Sequence, residues 1–207
     1  LPTATTRLLM IRHGRRTEGL DRGLTAEGRA QAEALRHRLR REYALERGTL
    51  AVYSSLLPRA VETAEFVAAG LRQGADDVIQ DCDLCTYHLP AELVPATGGG
   101  VYLPFEQGNE SWSDLVNRVG KALSRIAARH SGTTTAIVAH DCVVEASLVV
   151  FGALPLLRAF DIAVDYASIT EWTTTDDPAA EWDAAASPWP PARWRLERLN
   201  DTAHLAR

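Results

Sequence analysis

The stretch Arg7–Gly14, R-L-L-M-I-R-H-G, decides the fold. Leu8 to Ile11 form an apolar run too short for a helix, which reads as a buried strand over Arg7–Arg12. At its carboxyl end stand Arg12, His13 and Gly14, followed by Arg15 and Arg16. Polar, glycine-containing sequence then leads to Thr25, a helix N-cap with Glu27 in the first turn. Gly28, Ala32, Leu35, Leu39 and Tyr43 repeat at helical spacing, and Gly48 closes the region. Arg36, Arg38, Arg40 and Arg41 are expected on the wet side of that helix.

The same alternation continues along the chain. Leu50–Tyr53 reads as a second strand, and Ser54 or Ser55 as the cap of a second helix with Pro58 in its first turn. Its buried stripe is expected at Leu57, Val61, Ala64, Ala68 and Leu71. A weaker strand spans Asp77–Asp83. Ser111 and Asp114 form a capping pair for a third helix with Leu115, Val119, Ala122 and Ile126 on its face. Thr133–Ala139 is a strand ending at His140, Val143–Phe151 a helix, and Ala167–Thr174 and Ala192–Leu199 two late strands, with Asn200-Asp201 as a turn. Strands alternating with helices predict a layered α/β sandwich with a largely parallel central sheet flanked by helices. The expectation is one domain over residues 1–207, with a substrate loop at about 84–110 and a surface insertion at about 176–191. Ligands of such sheets bind beyond the carboxyl ends of the strands.

The chain of 207 residues carries a net charge of −5, so no broad basic field exists to hold nucleic acid. Three cysteines do not make a disulfide scaffold in a chain this long. No apolar run reaches membrane-spanning length, and Leu1–Arg7 has no secretion pattern. A soluble, cytoplasmic protein is expected. Cys82, Cys85 and His88 are spaced like three zinc ligands, but the cysteines also fit the end of a buried strand, and no metal is assigned. Tyr87, His88, Tyr102 and Trp112 are candidates to line a substrate pocket, with Trp112 alternatively pinning the third helix. Trp172, Trp182, Trp189 and Trp194 are expected in core packing or in an oligomer contact such as a homodimer.

Three polar clusters fall at strand ends: Arg12-His13-Gly14, Ser54-Ser55 with Arg59, and His140-Asp141. A neutral imidazole is a competent nucleophile toward phosphorus. Guanidinium groups spread the charge of a phosphate dianion and match its oxygens in pairs. The leaving alkoxide needs a proton, which a carboxylic acid can give. Nothing in that scheme requires a metal or other cofactor.

The residues that carry this pattern resemble the histidine phosphatase superfamily, the phosphoglycerate mutase-like proteins. The resemblance runs through L-L-M-I-R-H-G at 8–14, L-T-A-E-G-R-A-Q-A at 24–32, V-Y-S-S-L-L-P-R-A-V-E-T-A at 52–64, G-N-E-S-W-S-D-L-V-N-R-V at 108–119 and A-I-V-A-H at 136–140. It implies a phosphoglycerate mutase-like fold and a metal-independent phosphatase. His13 would become a phosphohistidine, Arg12 and Arg59 would hold the phosphate, and His140 would donate a hydrogen bond to it. Glu62 would brace Arg59 or the backbone.

The chain also departs from the common small-enzyme pattern. Arg15 stands where that branch often has glutamate, and Thr86 where it places a catalytic glutamate. The acid phosphatase and phytase branch carries an arginine two residues after R-H-G and an aspartate after the second histidine, positions that Arg16 and Asp141 fill here. Asp141 is therefore expected as general acid and Arg16 as a third phosphate ligand, with Glu110 and Glu92 as the other candidate acids. Arg15 is expected to be a solvated loop charge. The substrate implied is a small phosphorylated metabolite. Phosphoglycerate mutase-type transfer and a non-catalytic phosphate-binding regulator are the competing readings.

Overall fold

The structure, a computed structural model, describes residues 5–19, 21–43, 50–87, 110–157, 160–174 and 193–205. Glu92, His88, Tyr102, Trp182, Trp189, Gly48, most of the expected substrate loop and the 176–191 insertion lie outside them.

The elements run β1 (Arg7–Arg12), α1 (Ala26–Glu42), β2 (Ala51–Ser54), α2 (Pro58–Gly70), β3 (Ile79–Gln80), α3 (Trp112–Arg129), β4 (Thr134–Ala139), α4 (Asp141–Gly152), β5 (Ile169–Thr174) and β6 (Trp194–Asp201). They build a six-stranded sheet in the order β3-β2-β4-β1-β5-β6. β1 pairs parallel with β4, and β2 parallel with both β4 and β3. β5 alone runs against its neighbours β1 and β6. This is the largely parallel α/β sandwich that the sequence pattern predicts.

Alternation along each strand divides the core into two layers. Leu8 and Met10 of β1, with Ile137 and Ala139 of β4, pack against Leu115, Val119 and Leu123 of α3 and Val143 and Val144 of α4. Leu9 and Ile11, with Ala136 and Val138, face Leu35 and Leu39 of α1 and Ala64 and Val67 of α2. α1 and α2 therefore cover one face and α3 and α4 the other.

The caps follow local chemistry. Thr25 Oγ1 accepts from the Gly28 N–H at 3.0 Å. Ser111 and Asp114 close a reciprocal capping box on α3. α2 differs from expectation: its N-cap is Leu57, with no side-chain cap, because Ser55 is drawn into the site described below. Its buried stripe is Ala60, Thr63, Ala64, Val67, Ala68 and Leu71, while Leu57 and Val61 stay half-exposed.

Arg38 also departs from expectation. It is buried, not solvated, and its guanidinium pairs with Glu42 and Asp201 and reaches His204 Nδ1 at 3.2 Å. Arg198 of β6 in turn pairs with Glu42 and Glu171, so an ionic network ties α1 to the last two strands. The turn expected at Asn200-Asp201 is part of β6, where a register shift and a left-handed Asn200 (φ 50°) absorb the irregularity.

β3 is only two residues long, and Cys82–Leu84 form a 3₁₀ turn, not the end of a longer strand. Cys82 is exposed, while Cys85 is buried and accepts the Leu56 N–H at 3.4 Å. Asp81, Cys82 and Asp83 cluster, but Arg125 already bridges both carboxylates, at 2.6 and 3.2 Å. Trp172 packs in the core and donates to Ser147 Oγ at 3.1 Å, and Trp194 stacks on Phe151.

One close approach fixes the loop after β1. A Cβ at Gly28 would lie 2.1 Å from the Arg15 carbonyl oxygen, and one at Gly14 would lie 2.6 Å from the Gly28 carbonyl oxygen. Only glycines let the loop lie on the first turn of α1. Gly28→Ala is expected to cost about 1–3 kcal/mol by forced separation of the two backbones, measured as a lowered midpoint in urea unfolding.

Candidate active site

β4 lies between β1 and β2, so three strand ends meet at one edge. Arg12 is in register with Ala139, and Ser54 with Val138. The chain continues the pairing one step beyond the strands. The His13 N–H donates to the Ala139 carbonyl at 3.0 Å, and the Ser55 N–H to the Val138 carbonyl at 3.1 Å. His13 and His140 are thereby brought together, with ring centroids 5.2 Å apart.

His13 is 4% exposed. Its Nδ1 lies 2.7 Å from the Gly14 carbonyl, which can only accept, so Nδ1 carries the proton and Nε2 the lone pair. That lone pair accepts the Arg59 Nε–H at 3.0 Å. Burial and, less strongly, the positive fields of Arg59 and Arg12 lower the imidazole pKa to about 4. The ring is expected to stay neutral through mildly acid pH and to gain charge only as the pH falls toward about 4, in an NMR titration of its ring signals.

His140 is more deeply buried, and burial with the neighbouring His13 and arginines holds its pKa well below the usual value. Its Nδ1 accepts from Arg59 Nη2 at 3.3 Å, and its Nε2 lies 2.9 Å from Ser55 Oγ. Ser55 can accept from or donate to that ring nitrogen, so the hydroxyl serves either tautomer. Protonation at Nδ1 then becomes available for an anion placed between the rings.

Arg59, from the first turn of α2, connects the two imidazoles and forms an ion pair through Nη1 with Asp21. Thr63 Oγ1 donates to the Arg59 carbonyl at 2.7 Å and accepts the Gly14 N–H at 3.1 Å, locking α2 to the loop after β1. Arg12 donates to the Val164 carbonyl, pairs through Nη2 with Asp141 Oδ2 at 2.9 Å, and lies 4.1 Å above the Tyr166 ring. Ala167, left-handed at φ 56°, donates its N–H to the Arg12 and His13 carbonyls at 3.1 and 3.2 Å. This is backbone strain held at the site.

Asp141 opens α4 directly after His140. Its Oδ1 accepts the Cys142 N–H at 2.8 Å, and its side chain is 48% exposed. Thr86 Oγ1 lies 3.5 Å from Cys142 Sγ, so the residue standing in the glutamate position reaches α4 one residue from Asp141.

The remaining expected groups find partners outside this cluster. Arg16 is exposed and donates to the Thr17 and Gly19 carbonyls at 3.2 and 3.3 Å. Arg15 pairs with Glu27 and lies 5.6 Å from the Tyr166 ring centre. Glu110 receives Arg118 through both oxygens, each at 2.7 Å, while Arg118 also donates to the Asp83, Cys85 and Thr86 carbonyls. Glu62 braces the backbone, accepting the Leu24 N–H at 2.7 Å, and pairs with Arg29. Asp21 and Tyr166 have no sequence signal that marks them: one sits in a polar loop and the other before a late strand.

The edge therefore offers a nucleophilic nitrogen, a second imidazole, two guanidinium groups and a carboxylate. Among the described residues no helix is long and apolar enough to cross a membrane. The model of the histidine phosphatase superfamily (branch 1) matches residues 8–182. The phosphoglycerate mutase-like protein 4 of Arabidopsis thaliana is 31% identical over 160 residues, covering 66% of this chain and 67% of that protein. The metal-independent phosphoserine phosphatase of the same plant is 31% identical over 164 residues, covering 68% of this chain and 66% of its own. A solved mycobacterial glucosyl-3-phosphoglycerate phosphatase superposes with a TM-score of 0.70 at 25% identity, over 95% of this chain and 99% of the other.

Proposed function

The chain belongs to the histidine phosphatase superfamily, branch 1, and from that membership we propose that it is a metal-independent phosphomonoesterase acting on a small phosphorylated metabolite through a phosphohistidine at His13. The observation that carries the reading is the His13 ring: buried, neutral, with its proton fixed on Nδ1 and its Nε2 lone pair turned to Arg59. The relatives named for phosphatase activity support it.

In this mechanism Arg12 and Arg59 exchange their present partners for phosphate oxygens. His140, with Nδ1 protonated and Ser55 donating to Nε2, adds a third donor. His13 Nε2 attacks phosphorus, the P–O bond to the alcohol breaks, and Asp141 gives its proton to the departing oxygen. The Asp141 carboxylate then takes a proton from water as that water attacks phosphorus, and the P–N bond breaks to release inorganic phosphate and neutral His13. Positioning and charge stabilisation supply most of the acceleration. Asp141 is half-exposed and its cationic partner is the Arg12 that turns to phosphate, whereas Glu110 is largely buried and held by Arg118 through both oxygens, which supports Asp141 as the acid.

Hydrolysis of phenyl phosphate in excess chelator, lost in His13→Ala, tests the activity. Asp141→Asn is expected to slow alkyl phosphates by about 10²-fold or more and p-nitrophenyl phosphate by less than about tenfold, because a good leaving group departs without a proton. Equal loss on both substrates contradicts the assignment.

The name of the first relative favours a second reading, phosphoryl transfer between hydroxyls. A mutase must keep water from the phosphohistidine. Asp141, at 48% exposure, stands open to it, which supports hydrolysis. Transfer between phosphoglycerates without phosphate release would favour the mutase. A purely phosphate-binding regulator needs the guanidinium groups but not a neutral, aimed nucleophile.

A further inference from the structure

We propose that Asp21 is a positioning residue for the phosphoryl transfer: its carboxylate holds Arg59 from behind while the guanidinium turns to phosphate, and its charge loosens the site's grip on the released phosphate. The proposal rests on the phosphatase reading and assigns a further residue to the same site. Arg59 donates from Nε to His13 Nε2 at 3.0 Å and from Nη2 to His140 Nδ1 at 3.3 Å. These two donors share one edge of the planar group, and such an edge matches two oxygens of a phosphate. Nη1 lies off that edge and carries the ion pair with Asp21. An anion that enters between the rings therefore takes over the first two bonds and leaves the third in place.

The loop around Asp21 is built to hold the carboxylate there. Arg16 and Leu24 form an antiparallel bridge, and between them the Thr17 N–H donates to the Gly23 carbonyl at 3.0 Å. The Gly23 N–H donates to Asp21 Oδ1 at 3.1 Å, which leaves Oδ2 for Arg59. Glu62, one turn after Arg59 on α2, accepts the Leu24 N–H at 2.7 Å. Helix and loop thus grip each other through two carboxylates, one from each side. Among the described residues Asp21 is the one carboxylate paired with Arg59, and the two side chains are only 15% and 12% exposed. Salt and water screen such a pair poorly, so a phosphate on the other side of the guanidinium feels the Asp21 charge. Arg12 is placed differently, because its partner Asp141 is half-exposed and is the proposed acid.

The test measures the Kd of inorganic phosphate by calorimetry and kcat on phenyl phosphate for the wild-type protein, Asp21→Asn and Asp21→Ser, with folding of each checked by circular dichroism. Asparagine has the same shape and no charge, and its single oxygen can serve either Gly23 or Arg59 but not both. Serine keeps the bond to the Gly23 N–H through its hydroxyl and drops both the charge and the anchor. Both variants are expected to bind phosphate about three- to tenfold more tightly and to turn over about tenfold more slowly, with the larger loss of rate in Asp21→Ser. Affinity and rate then move in opposite directions, which a purely structural role does not produce, since a damaged site loses both. Phosphate binding unchanged or weakened in either folded variant, or an undiminished kcat in either, overturns the proposal. Failure of the wild-type protein to hydrolyse phenyl phosphate would instead mark failure of the phosphatase reading, and the Kd ratio, read without turnover, still decides whether Asp21 restrains Arg59.

Discussion

Replacing His13 with glutamine is expected to reduce turnover of every phosphate ester by at least about 10⁴-fold while leaving phosphate binding largely in place. A glutamine amide can still reach toward Arg59 but offers phosphorus no nucleophilic nitrogen. The arginines and His140 keep their scaffold contacts, because Arg12 is anchored to Val164 and His140 to Ser55 independently of the His13 ring. The measurement is kcat on phenyl phosphate beside the Kd of inorganic phosphate by calorimetry. A variant that lost binding and kept a residual rate in proportion would make His13 a ligand and not the attacking group.

Arg59→Ala is expected to bring the second large effect, about 10²–10³-fold in kcat/KM. Three consequences share one cause. Arg59 bonds Nε2 of His13 and Nδ1 of His140, so its loss removes the group that holds both rings in register. Its positive field is one of the causes that lower the His13 pKa, so the pKa must rise and the acid limb of the rate profile must move to higher pH. Asp21, with a side chain only 15% exposed, loses its partner, so thermal stability should fall as well. Arg59→Lys restores the charge but not the fork that spans two imidazoles, so it should recover the pKa better than the rate. Parallel recovery of both would show that charge alone matters.

The framework of this site was legible in the sequence because backbone pairing and side-chain chemistry coincide there. The apolar run ending in Arg12-His13-Gly14 had to be a strand, and a parallel sheet places such ends side by side. What stayed hidden depends on contacts distant in sequence. Arg38 looks like one of four arginines on a wet face, yet Asp201 and His204 close over it from the far end of the chain. The α2 stripe moved because the helix starts at Pro58 without a serine cap, which frees Ser55 for His140. Asp21 joins the site through Arg59, and Tyr166 through Arg12, Arg15 and the His13 ring, and spacing carries no trace of either. Arg16, expected as a phosphate ligand from its position after R-H-G, instead holds carbonyls of its own loop in this structure.

The most direct test is rapid acid-free quenching of the enzyme during turnover of a ³²P-labelled ester, followed by peptide mapping. The account expects a label that is stable to base, labile to acid and confined to His13. Continued phosphate release with no label on that ring, or a label on another side chain, would contradict it.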